Sequence, residues 1–303
     1  MRKLEGLLSD RLGRGGAAMG GAAAARDLLP AALDAYGGLL AQARDVTIAG
    51  RVLDDAVVLD KLVDFLPDSD MAKALAGFRP PAGPALAGVP NITYFFAMGA
   101  AGEPFATAAQ VVTDGFWRSP RLAKVDAKLR EEAAKLSKAA RGQIEAVQAV
   151  VGLAPKDNPG VLGMVARLRC KDSAAYMDMV ARGADLQKRV QAALGGEAAG
   201  QAEISLTRGA DKLGDLSIDE MTVKMPLPKG ANPMAAAMVQ QLWGGDAMRI
   251  LAVMPDAKTV LLAVGGKGLL AQAVESSKAG ADAILVGEEI QAAFEEKIVL
   301  CDR

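Results

Sequence analysis

The stretch AEISLTRGADKLGDLSIDEMTVKMPL, residues 202–227, decides how this chain is read. It reads as two strand-forming runs, and in the strand over 221–225 Met221, Val223 and Met225 alternate with Thr222 and Lys224. A period of two with one apolar and one polar face is the pattern of a half-solvated antiparallel strand. A helical stretch from Pro233 to Trp243 follows. The unit is therefore strand, turn, strand, helix.

The same order recurs along the chain. Residues 46–78 turn at Asp54-Asp55, place Val57, Leu59, Val63 and Phe65 on one face, and enter a helix capped by Asp68 or Ser69. Residues 144–170 turn between Pro155 and Gly160 and enter a helix after Asp172-Ser173. MRILAVMPDAKTVLLAVGG, residues 248–266, leads to a helix over 269–278. Between these units lie a strand near 92–98, a helix after Pro104 and a long charged helix over about 120–141. The N-terminal part reads as a short amphipathic helix over 2–12 with Leu4, Leu7, Leu8 and Leu12 on one stripe. A Gly/Ala stretch from Gly13 to Ala25 follows, then a helix starting at Asp27 with Pro30 in its first turn.

Hairpins that feed helices predict an α+β fold: mostly antiparallel sheet from repeated hairpin–helix units, the helices covering one face, with a helical N-terminus. Parallel strands buried on both faces read as continuous apolar runs, and only 260–264 and 283–287 do so. Three regions are expected: a helical segment 1–44, a first hairpin–helix domain 45–142 and a second 143–303, the last two open to being one continuous domain.

Composition excludes several classes of function. Histidine is absent, so His-based triads, zinc sites and general bases are not available. Lys plus Arg number 35 against 36 for Asp plus Glu, which leaves no global field to steer nucleic acid. Aromatics are 4% of the chain, too few for base-stacking platforms. Neither a membrane span nor a signal peptide is visible, and the opening returns to charge at Asp10 and Arg11. Cys170 and Cys301 read as two small buried hydrophobes, with one long-loop disulfide as the alternative.

The segments FLPDSDMAKALAGFRPPAGPALAGVPN, 65–91, and ITYFFAMG, 92–99, together with KLEGLLSDRLGRGGAAMG, 3–20, resemble a group of large bacterial secreted proteins built from hairpin–helix units. That resemblance implies a periplasmic or secreted location. It implies no activity and supplies no site residues.

Candidate sites are few. GRGGAAMGG, 13–21, follows a helix where a dinucleotide fingerprint needs a strand, and reads as a close-packed connector. Asp68/Asp70 and Asp219/Glu220 lack the remainder of a calcium loop and read as helix caps and solvated turns. Met234 and Met238 read as a core-filling stripe, with an adaptable partner groove as the alternative. Gly265, Gly266 and Gly287 are the cofactor-binding candidates. In 260–290 they sit where the last two strand–loop segments of a (β/α)₈ barrel would hold a phosphate on backbone amides. No catalytic residue, metal ligand or cofactor is expected. The expectation is a non-catalytic binding or structural protein of the bacterial envelope, with a protein partner or an apolar ligand. The alternatives are a carrier of an apolar ligand, which needs a cavity of at least ~300 Å³, and a phosphate-binding barrel enzyme.

Overall fold

The computed structural model describes residues 22–52, 57–76, 89–90, 94–101, 103–156, 158, 160–195, 203–224 and 233–279. The helix expected over 2–12, the glycine cluster at 13–21 and the strand at 283–287 lie outside them. The described elements are α1 (Ala22–Leu40), β1 (Ala43–Val52), β2 (Val57–Phe65), α2 (Asp70–Leu75), β3 (Tyr94–Ala101), α3 (Glu103–Arg118), a 3₁₀ turn (Pro120–Leu122) and α4 (Ala127–Gln143). Then come β4 (Ile144–Leu153), β5 (Leu162–Cys170), α5 (Ser173–Gly195), β6 (Glu203–Leu213), β7 (Leu216–Lys224), α6 (Pro233–Trp243), β8 (Ala247–Asp256), β9 (Thr259–Val264) and α7 (Gly266–Ala279). The fold is α+β, and every pairing among the described strands is antiparallel.

The chain divides into two interleaved units rather than along the sequential boundaries at 44 and 142. One holds α1, β1, β2, α2, α3, the 3₁₀ turn, α4 and the part of α5 from Arg182 onward. The other holds β3 through β9, α6, α7 and the first part of α5, Ser173 to Ala181.

In the first unit, β1 and β2 form a two-stranded hairpin. Ala31, Leu122, Val125, Leu129, Ala133, Leu186, Val190 and Leu194 make one core cluster there, and Met71, Ala74 and Ala108 a smaller one. Three expectations are refined here. α1 begins at Ala22, five residues before Asp27, so Pro30 lies within the helix rather than in its first turn. The alanines at 22–25 are the strongest helix formers and carry it upstream. The helix expected over 120–141 is interrupted, because Ser119 caps the 3₁₀ turn and Asp126 then caps α4 by accepting from the N–H groups of Lys128 and Leu129. Of the two caps proposed for α2, Ser69 is the one used, its Oγ accepting from the N–H of Ala72 at 3.1 Å.

The second unit is built on a seven-stranded sheet in the order β3-β4-β5-β9-β8-β7-β6. β9 is the key strand, since five of its six residues are buried. Leu261 and Ala263 join Val150, Val165 and Val253 under Leu269, Leu270, Ala273 and Val274 of α7. Val260 and Leu262 join Leu168, Cys170, Ala252 and Met254 under Tyr176, Met177 and Val180 of α5. Odd and even positions of one strand therefore meet different helices, so α7 and α5 cover opposite faces. The expectation that the helices share one face is overturned. The reason is in the strand itself: VLLAV has no polar position to offer water.

Cys170 is fully buried and free. Burial, reinforced by the carboxylates of Glu145 and Asp172, pushes its thiol up to about 11. Iodoacetamide at pH 8 is accordingly expected to leave Cys170 unmodified in the folded chain and to modify it in urea, as peptide mapping would read. Cys301 lies outside the described residues.

Tight glycine contacts set the junctions of the sheet. A Cβ on Gly160, in the β4–β5 turn, would stand 2.5 Å from the carbonyl carbon of Trp243 and 2.6 Å from the oxygen of Leu242, both at the end of α6. Val161 also donates its N–H to the carbonyl of Gln241. Gly160→Ala is expected to cost about 1–3 kcal/mol of unfolding free energy through overpacking against backbone. A lowered urea midpoint at unchanged slope would be its signature, and an unchanged midpoint would mean that the turn moves freely.

Candidate ligand-binding site

β9 ends at Val264, and the next two residues turn the chain into α7. Gly265 has φ +122° and Gly266 φ +84°, conformations that side chains resist. A Cβ at Gly265 would also press on Leu269 at 2.9 Å, and one at Gly266 on Oδ1 of Asn158 at 3.0 Å. Asn158 is itself tethered, its side-chain amide donating to the carbonyl of Gly160 at 2.7 Å.

These glycines border a cavity of about 380 Å³. Leu162, Ile218, Leu251 and Val264 give it apolar walls, and Trp243, Asn158 and Ala210 complete the rim. Four charged side chains line it as two ion pairs. Lys267 donates to Asp211 at 2.8 Å, and Arg249 grips Glu220 through Nε at 2.9 Å and Nη2 at 2.6 Å. Thr222 adds a third donor to Glu220 at 3.2 Å.

The strands place these groups by register. Glu220 lies opposite Leu251, two residues along from Ile218, so both face the α7 side of the sheet. Asp211 lies opposite Ile218 on that same side because β6 is irregular: four steps of chain, Thr207 to Asp211, span what Glu220 to Ile218 covers in two. Gly209 takes φ +60° inside this bulge. On the opposite face, buried Asp219 fastens it, accepting from the Gly209 N–H at 2.9 Å and from Arg208 at 2.7 Å. Arg208 reaches on to Asp178 of α5 at 2.8 Å.

Gly265 and Gly266 border the cavity, whereas Gly287 lies outside the described residues. Asp219 and Glu220 are neither caps nor turn residues: they stand in mid-strand on opposite faces of β7, each held by its own arginine. Sequence reasoning missed Lys267, Asp211 and Arg249 because the lining comes from five strands, α6 and the start of α7, and only the pairing register brings them together.

The electrostatics suit binding better than proton transfer. The Arg249 hydrogen bonds hold Glu220 below the usual carboxylate range, and the Lys267 hydrogen bond, helped by the N–H of Lys212, does the same for Asp211. General acids and bases work best near the operating pH, and both carboxylates are moved the other way. Among the described residues no group of three or more Cys, Asp or Glu is placed to hold a metal ion, and no helix is long and apolar enough to cross a membrane. Gln110, Arg130 and Gln143 carry buried side-chain atoms without a hydrogen-bond partner, and none of the three lines the cavity.

No family model, curated protein or solved structure matches this chain.

The Glu220 pairing sets a direction for pH dependence. Its folded value lies below the ordinary 4.5, so its stabilising contribution is present above that pH and is lost as pH falls through the folded value. Glu220→Gln should flatten the stability profile below about pH 4.5 relative to the parent chain. Chemical denaturation across pH would read this, and parallel profiles would show that the pair carries no linkage.

Proposed function

We propose that this chain is a non-catalytic binding protein of the bacterial envelope that holds a small ligand at the α7 end of its sheet. The observation that carries the reading is the cavity of about 380 Å³, with apolar walls and a rim of paired charges. Pockets for small molecules span roughly 300–1,000 Å³ and combine apolar lining with a few placed polar groups. A volume near the lower bound fits a small ligand.

The charged rim favours an amphiphilic ligand over the wholly apolar one that a simple carrier would hold. Burying hydrocarbon against two ion pairs would strip water from charges and return no hydrogen bonds. A phosphate-binding barrel draws no support from the described strands, which pair antiparallel throughout. The envelope location is supported by the resemblance carried by residues 3–20 and 65–99.

Native mass spectrometry of protein purified from the cells that make it is the test. A co-purified mass that survives gentle ionisation and disappears on denaturation is expected. Ala210→Trp, which fills the rim from an exposed position, and Leu251→Trp, which fills the wall, should each abolish it without changing the circular dichroism. Protein that emerges at its bare mass would overturn the reading, as would a bound species indifferent to both substitutions.

A further inference from the structure

The two ion pairs of the cavity are held very differently. Glu220 is mostly buried, its side chain 19% exposed, and takes two N–H groups from one guanidinium plus the Thr222 hydroxyl. Two hydrogen bonds from one planar fork are the strong form of an ion pair, and this one is a fixed wall. Lys267 and Asp211 share a single contact, with 47% and 59% of their side chains exposed. A single-contact pair in water is weakly held and exchanges partners readily. The weak pair is therefore the one a ligand can open.

Charge balance decides what can enter. An anion drawn to Lys267 would face Asp211 and Glu220 in the same cavity, and a cation drawn to Asp211 would face Lys267 and Arg249. Either would set the ligand beside the like-charged member of the opened pair, which is unfavourable. A molecule with both charges replaces one ion pair by two and leaves the site neutral. Its uncharged part would lie against Ile218, Leu251 and Val264, which form the apolar wall beside the pair.

We propose that the cavity takes a small zwitterion of amino-acid size, with one carboxylate, one ammonium and an apolar body. Lys267 meets the carboxylate and Asp211 the ammonium. This assignment rests on the binding role proposed above for the same cavity and names the chemistry of its ligand. The bulge that sets Asp211 opposite Ile218 then has a consequence for recognition: it positions the anionic half of a two-point contact whose cationic half lies on the first turn of α7.

Isothermal titration calorimetry on the full chain tests the proposal, with L-leucine and L-phenylalanine as probes. The single-charge analogues of leucine, 4-methylpentanoate and 3-methylbutylamine, are run beside them, together with inorganic phosphate. At least one amino acid should bind saturably, and each single-charge analogue of leucine and phosphate should bind at least about tenfold more weakly, the worth of one charged hydrogen-bonding partner. Asp211→Asn and Lys267→Met should each weaken the amino acid by about the same factor while the far-ultraviolet circular dichroism stays unchanged. Phosphate or 4-methylpentanoate binding as tightly as the amino acids would overturn the assignment in favour of an anion site. An affinity unchanged by both substitutions, or no binding of either amino acid, would also overturn it. The two proposals fail separately: a co-purified mass lost in Ala210→Trp with no affinity for either amino acid sinks the zwitterion and leaves the binding role standing. Bare protein with no affinity for any probe sinks both.

Discussion

Double-sided burial of β9 is the constraint on which the sheet unit depends. Val260, Leu261 and Ala263 are fully buried, and their side chains leave the strand in opposite directions. Burying a Val or Leu side chain is worth roughly 1.5–3 kcal/mol, so neither face can be left open to water without a large loss. Two helices are needed, and the chain supplies them from different places: α5 follows the β4–β5 hairpin, and α7 follows β9 itself. With β5 on one side of β9 and β8 on the other, the strand is central in both directions. An antiparallel sheet usually leaves one face solvated. This one is covered on both at its centre because residues 260–264 of its central strand are all apolar.

From that constraint the cavity follows. α7 must start at once if Leu269 and Leu270 are to reach the core beside Leu261, so the chain has two residues in which to turn from strand to helix. Gly265 and Gly266 make that turn with positive φ, and the β4–β5 loop closes against them through Asn158. α7 lies on β9, β8 and β5, and the wall beside its first turn is made by Ile218 of β7 and Leu251 of β8. The glycines are thus needed first for packing, and the space they border is a by-product of where the helix has to begin.

Much of this was legible in the sequence. The four hairpins, the helices after Pro67, Asp172 and Pro233, and the antiparallel character all follow from alternation, turn residues and caps. The doubled coverage was legible in VLLAV, yet continuous apolar runs were associated with parallel strands, and the local pattern reports burial rather than pairing direction. The long helix over 120–141 was misjudged because Ser119 and Asp126 look like ordinary helix-surface residues until their side chains are seen to accept backbone N–H groups. The site was legible only at Gly265 and Gly266. Asp211, Glu220, Arg249 and Lys267 span 57 positions of sequence, and nothing in their spacing announces two ion pairs, since register across three strands decides their neighbours.

The bulge in β6 links the two faces of the sheet. On the α5 side, Asp219 is buried and must be paired, and it accepts from Gly209 and Arg208, both inside the bulge. Without the two additional residues, β6 would place Gly209 opposite Ile218, and Asp211 would fall further along the strand, away from Lys267. A carboxylate that must be satisfied on one face therefore sets the position of a second carboxylate on the other. β6 is also an edge strand, and a bulge bearing Arg208, Asp211 and Lys212 discourages another strand from pairing there. One local irregularity protects the edge, satisfies a buried charge and positions one wall of the cavity. The structure consequently ties the charge pattern of the site to the stability of the sheet: a change at Asp219 on the α5 face would be felt at Asp211 on the α7 face, without any contact between them.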